Sequence, residues 1–223
     1  MIVTHKQRAL ALTRWAVEHA TRGEAVAVEI AVPARPVLET LVDDGVLRNA
    51  VLLLERDGTH SRIAARPRRK GGSTTITELF EEDHRRLDEI AAQMRQVAHE
   101  DPMRAVVLAG LLVWGFRRHV RIEEEIVFPL HTARTKYAAT TTRMHLEHVA
   151  ILKYVDRVER EADELRIAST RDPVITRLLD AEKALAAVVG DHNQKEEHTL
   201  FPLLDHTIPA KERIAMLRKI VTF

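Results

Sequence analysis

His119–Leu130 reads HVRIEEEIVFPL, and His192–Leu203 reads HNQKEEHTLFPL. His, Glu, Glu, Phe, Pro and Leu recur in the two stretches at the same offsets, 0, +4, +5, +9, +10 and +11. Six residue types repeated at fixed spacing mark a repeated site. On an α-helix each residue advances about 100°, so positions four apart lie about 40° from each other on one face. His119 and Glu123 therefore project together, as do His192 and Glu196. The neighbouring Glu124 and Glu197 sit about 140° from their histidines and are expected to face outward or towards the next helix. A single His-x3-Glu is short and common, and as a surface pair it contributes only about 0.2–0.5 kcal/mol. Two copies, each entering the same Phe-Pro-Leu terminus, read instead as paired ligand positions.

The surrounding chain is helical in pattern from Thr75 onward. Thr75-x-x-Glu78 is a capping box for a first long helix that runs towards His99. Asp101-Pro102 and Asp172-Pro173 each place an N-cap Asp before an N1 proline, opening the second and fourth helices. The third covers roughly residues 135–168. Phe-Pro is expected to close the second and fourth, since proline cannot continue a helix interior. MLRKIVTF reads as a short final helix behind Pro209. Four long helices with short connections predict an antiparallel up-down four-helix bundle.

The region before the bundle has a different character. Thr4-x-x-Gln7 can cap a helix that Gly23 ends, AVAVEIAV reads as a strand, and Pro33–Asp44 has helical spacing up to Gly45. VLLLE and THSRIAA flank Asp57-Gly58, a hairpin signal. The expected order is α-β-α-β-β. It carries no helix with clustered Arg, Asn or Gln, so a nucleic-acid partner is not expected. The domain plan is thus a small α+β domain over 1–66, a basic, glycine-containing linker over 67–74, the bundle over 75–206 and a short C-terminal helix over 207–223.

Composition narrows the chemistry. There is no cysteine, which removes disulfides, thiolate metal sites and cysteine nucleophiles and leaves imidazole and oxygen as ligands. Twelve histidines are the feature to follow. The net charge of +1 divides into +4 over residues 1–70 (12 Lys/Arg against 8 Asp/Glu) and −3 over the remainder (22 against 25). That is too mild a bias to indicate a polyanionic partner. No apolar run approaches the roughly 20 residues that cross a bilayer. No signal-peptide pattern opens the chain, so a cytoplasmic location is the default expectation.

A second repeat lies on the first and third helices. Asp83-His84 and Glu147-His148 each place an acid immediately before a histidine. The chain thus reads twice as acid-His followed by His-x3-Glu-Glu. The two halves together offer His84, His119, His148 and His192 with Glu123 and Glu196. Six such groups facing one interior lose much solvation energy if they have no partner, and two divalent cations resolve this. Imidazole suits iron, zinc or copper, and a carboxylate can bridge two metals. Two glutamates bring two negative charges against four positive, so an oxo or hydroxo bridge or a bound anion is expected. A ferritin-like centre would need its Glu-x-x-His motif twice, and only Glu81-x-x-His84 is present.

DHRRLDEI, HVRIEEEIVFPL, MHLEHVAI and HNQKEEHTLFPLLD, in that order on four helices, resemble the hemerythrin-like, or HHE cation-binding, family over residues 75–206. The match is closest to the branch that repairs iron centres under oxidative and nitrosative stress. In that branch four His and two Glu hold a non-haem di-iron centre, with the glutamates bridging. By position the resemblance implies His84 on the first helix as a ligand. It implies His119 and Glu123 on the second, His148 on the third, and His192 and Glu196 on the fourth. His145, three residues before His148 and about 60° around the helix, is an alternative ligand. Glu197 is the alternative for the place where the oxygen carriers have Asp. The repair proteins carry a cysteine-containing N-terminal domain, which this chain lacks.

The expected function is therefore a di-iron protein that binds, senses or reduces a small oxidant (O2, peroxide or NO), with the N-terminal domain engaging a protein partner. Iron storage or donation, and catalase- or peroxidase-like turnover, are the competing readings. His99, His131, His198 and His206 are expected to be solvated. Trp114, Phe116 and Tyr154 are expected in the core.

Overall fold

The computed structural model describes residues 5–43, 50–57, 59–68, 75–135 and 138–223. The Thr4 cap, the Gly45 stop, the Gly58 turn position and residues 69–74 of the connection lie outside them. The chain is mainly helical, with a small three-stranded antiparallel sheet in its N-terminal part. The order opens α1 (His5–Thr21), β1 (Val26–Ile30), α2 (Arg35–Asp43), β2 (Ala50–Arg56) and β3 (Ser61–Pro67). It continues α3 (Ile76–Val97), α4 (Pro102–Ile122), α5 (Phe128–Thr135), α6 (Ala138–Ile167), α7 (Asp172–Lys195), α8 (Phe201–Thr207) and α9 (Ala210–Val221). Two compact units result, one of Met1–Asp83 with Phe201–Phe223 and one of His84–Leu200.

In the first unit the expected α-β-α-β-β order is observed. Gly23 adopts φ +94°, a value costly for any side chain with a Cβ, and the Glu24 N–H then reaches back to the His19 carbonyl at 3.1 Å. The sheet order is β1-β3-β2, so Ile63 at its centre lies opposite both Val28 and Leu54. Asp57 fastens the β2–β3 end, accepting from the Ala34 N–H at 2.7 Å and the Ser61 hydroxyl at 3.0 Å. Helix α9 packs against α2 and β2. The Arg35 guanidinium donates to the Thr222 and Phe223 carbonyl oxygens at 2.7 and 3.1 Å. The final helix starts directly behind Pro209 and is longer than MLRKIVTF alone. Thr75 caps α3 as expected, accepting from the Glu78 N–H at 3.0 Å. Asp205, which carried no cap signal, accepts from the N–H groups of Ile76 and Thr77 at 2.8 and 3.0 Å.

In the second unit α3, α4, α6 and α7 pack as a helical bundle around one apolar core that includes Leu112, Val155, Leu165 and Leu178. Asp101 caps α4 through the Arg104 N–H at 3.0 Å, with Pro102 at N1, as its sequence indicated. Asp172 does not cap α7. The helix begins one residue earlier, with Arg171 at the N-cap, so Asp172 stands in the first turn beside the positive end of the helix dipole.

Phe-Pro does not end the second and fourth helices. After Ile122 the helix widens into a π turn over Glu123–Val127, in which the Phe128 N–H bonds the Glu123 carbonyl, and α5 continues from Phe128. Glu196–Leu200 forms the corresponding π turn, followed by α8. An i→i+5 turn is wider than an α turn, so a proline ring is accommodated where an unbroken ladder would press a carbonyl against it.

Candidate metal centre

Each π turn begins on the glutamate that follows its histidine by four residues, Glu123 after His119 and Glu196 after His192. All six residues, His84, His119, Glu123, His148, His192 and Glu196, are buried, and the two glutamates are 0% exposed. They converge inside the second unit. His84 Nε2 lies 3.2 Å from His119 Nε2, and His148 Nε2 lies 3.1 Å from His192 Nε2. Each half of the sequence repeat thus supplies one histidine pair. The carboxylates link the halves. Glu123, from the first half, reaches His119 at 3.5 Å and His148 at 3.0 Å. Glu196, from the second, reaches His192 at 2.9 Å and His84 at 3.5 Å.

Two donor groups result, Glu123 with His148, His192 and Glu196, and His84 with His119 and Glu196. Glu196 belongs to both. With metal–ligand bonds of about 2.0–2.2 Å, neighbouring ligands of a tetrahedral or octahedral shell lie about 2.8–3.6 Å apart. The nitrogen–nitrogen and shortest nitrogen–oxygen separations fall in that range. Neither Glu196 oxygen is aligned as a hydrogen-bond acceptor, although His192 Nε2 is 2.9 Å away. A fully buried carboxylate with no aligned hydrogen-bond donor, among imidazole nitrogens at ligand spacing, fits a cation.

The outward ring nitrogens are held by a second set of acids. Glu197 meets His84 Nδ1 at 2.6 Å, Glu124 meets His148 Nδ1 at 3.0 Å, and Glu147 meets His192 Nδ1 at 3.0 Å. Such carboxylates fix the tautomer that leaves Nε2 free to ligate and raise its basicity. Glu124 and Glu197 turn to the next helix, as their +5 offset allows. The role of Glu147 was not legible. It stands beside His148 in sequence but serves His192 on α7. His145 is exposed and its Nδ1 faces Glu124 at 2.9 Å, so neither it nor Glu197 joins the inner group.

The electrostatics match this division. Burial pushes the His84 imidazole down, but Glu196 and Glu197 outweigh it and lift it to about 9. His192 is likewise depressed by burial and raised overall by Glu196 and Glu147. His148, buried and next to the charge of His192, is pushed down to about 4. Burial alone would raise Glu196, yet His192 and His84 hold it well below the usual carboxylate range. Without a metal, protons on some of the histidines balance the glutamates. Protons and cations therefore compete for the same nitrogens.

The apolar surroundings are specific too. Phe128 of the repeat stacks on the His148 ring, with centroids 5.2 Å apart and planes 10° off parallel. A cavity of about 90 Å³ is lined by Leu87, Leu112, Phe116, Leu185 and Val189, with the polar groups of Asp88, Glu182 and Asn193. Leu87, Phe116 and Val189 are each three residues from a histidine of the group, His84, His119 and His192 respectively. Phe116 and Tyr154 belong to the core as expected, and His99, His198 and His206 are exposed. His131 corrects its expectation. It is 2% exposed, because the helix continues past Pro129 and carries it inward.

Fold and site together define a helical cation-binding module with imidazole and carboxylate donors. Residues 75–219 match the family model described as Hemerythrin HHE cation binding domain, and the chain belongs to that family. No curated protein and no solved structure matches it. Family members bind metal ions, typically iron, and the buried His/Glu group could hold one. Among the described residues no helix is long and apolar enough to cross a membrane.

Proposed function

We propose that His84, His119, Glu123, His148, His192 and Glu196 hold two non-haem iron ions in an antiparallel up-down four-helix bundle over 75–206. We take residues 1–66 as a small α+β domain, 67–74 as its linker and 207–223 as a C-terminal helix. The observation that carries the reading is the crossing of the carboxylates, each of which lies against one histidine from each half. A carboxylate so placed could bridge two ions. An iron pair held there, with an oxo or hydroxo bridge, would supply redox chemistry towards O2, peroxide or NO.

The chain's own residues supply the selectivity. Each ion would have fewer protein donors than an iron shell of six, which leaves room for a small exogenous ligand. The small cavity, lined by apolar side chains with Asp88, Glu182 and Asn193, has room for a small molecule and would disfavour an anion. We therefore assign the protein to the binding, sensing or reduction of a small oxidant in oxidative or nitrosative stress, or in iron-centre repair. The N-terminal domain would recruit a partner.

Stopped-flow spectroscopy of the anaerobic, iron-loaded protein against O2, NO and peroxide tests this. A saturable spectral species with at least one of the three supports it. Saturable peroxide loss abolished by Glu123→Ala would make the protein a catalase- or peroxidase-like enzyme. Rapid loss of iron to a mild chelator, with no such species, would make it an iron store or donor and overturn the proposal.

A further inference from the structure

The carboxylates behind the histidines are not equivalent. Glu147 Oε2 lies 3.0 Å from His192 Nδ1, while its other oxygen, Oε1, accepts from Lys195 Nζ at 2.7 Å and from Arg143 Nε at 3.2 Å. Arg143 is 71% exposed, so solvent screens it, whereas Lys195 is 39% exposed and Glu147 24%. Glu124, behind His148, shares its Oε1 with His145. Glu197, behind His84, has no lysine or arginine in ion-pair contact among the described residues. We propose that Lys195, acting through Glu147, makes the two metal positions electronically unequal. The inference rests on the di-iron reading above.

A carboxylate that accepts from Nδ1 pushes electron density into the ring and strengthens Nε2 as a donor. A cation on the far oxygen draws that density back. His84 is thus backed by an uncompensated acid, and His192 by an acid whose charge Lys195 partly cancels. With both glutamates shared between the ions, as in the reading above, the ion on the His84 and His119 side sits against the stronger histidine donor and is the more easily oxidised. The ion on the His148 and His192 side retains its electron to a higher potential. Lys195 is a positioning residue in this arrangement. It touches neither ion and sets the field through one carboxylate.

Mediated potentiometric titration of the iron-loaded protein, with iron per chain measured on each sample, separates the two ions by their midpoints. Lys195→Met keeps the side-chain stem and removes the charge. It should leave two irons bound, lower the higher midpoint and leave the lower one in place. Glu147→Gln should move the same midpoint up, and Glu197→Gln should raise the lower one instead. A purely structural role would move Lys195→Met and Glu147→Gln in the same direction, so opposite signs are the deciding result. Unmoved midpoints in Lys195→Met, equal movement of both, or loss of one iron would each overturn the proposal while the di-iron reading stands. Absence of iron in the unmodified protein would overturn that reading and this inference with it.

Discussion

The Nε2 atoms of His148 and His192 lie 3.1 Å apart, although 44 residues separate the two histidines along the chain. Each ring is turned by a carboxylate on its outer nitrogen, Glu124 for His148 and Glu147 for His192. Packing alone does not explain two polar nitrogens held tip to tip in a buried site. Such a pair either shares one proton in an N–H···N hydrogen bond or could take a cation between its tips.

Glu196 is the donor common to both groups. Glu196→Ala should therefore release both metals, whereas His119→Ala, which breaks one group, should leave about one per chain. The loss in Glu196→Ala should exceed the about 10–100-fold weakening that follows removal of an outer partner. Equilibrium dialysis against a chelator series reads the difference. Equal loss in the two variants would mean that Glu196 does not bridge.

Metal uptake should release protons. His84 is raised to about 9, so it carries a proton near pH 7.5 that ligation removes, and His192 is shifted in the same direction by Glu196 and Glu147. The raised value of His84 makes it stabilise the metal-free fold fully below pH about 6.5, and that contribution is lost as pH rises through about 9. His148 acts oppositely. Its value of about 4 costs stability as pH falls from about 6.5 towards 4. The metal-free protein should thus melt lower on either side of neutrality, and the iron-loaded protein should lose less above pH 6.5. Thermal melts across pH 4–10, with proton release measured in weak buffer, check both signs. A metal-free Tm that is flat from pH 6.5 to 9 would contradict the account.

The π turns accommodate the prolines. Deleting Glu125, an exposed residue of the first π turn, should restore α spacing and place Pro129 in a helix interior at a cost of about 3 kcal/mol. Adding Pro129→Ala should recover part of that stability. It should not recover full metal binding, because Glu123 would lose the wide turn from which its carboxylate reaches between His119 and His148. Chemical denaturation and iron content, measured side by side, separate the two effects.

Core packing and metal binding should also separate. Leu112 is 1% exposed in the helical core, and Leu112→Ala should cost about 2–5 kcal/mol. Its urea midpoint should fall while iron per chain stays that of the unmodified protein.

Much of the site was legible because it rests on short-range geometry. The His119–Glu123 and His192–Glu196 pairs follow from helical pitch, and the repeat of Phe-Pro-Leu separated them from ordinary surface pairs. The caps at Thr75 and Asp101 and the turn at Gly23 are local chemistry and appear where expected. Other features depend on what one helix meets on another. Glu147 carries the same acid-His signature as Asp83, and nothing in the chain says that it serves His192 across the bundle. The π turns leave a trace only in hindsight, as prolines within unbroken helical periodicity. His131 looked solvated because Pro129 looked like an end.

Metal per chain tests the central claim most directly. It would be measured by elemental analysis on protein purified without added metal or a histidine tag, beside a His119→Ala, His192→Ala double variant. Those two changes remove one histidine from each pair. The account predicts close to two irons per chain, largely lost in the variant with helicity retained. Little metal in both proteins, with unchanged helicity, would contradict it and make the repeated His-x3-Glu-Glu a structural pattern.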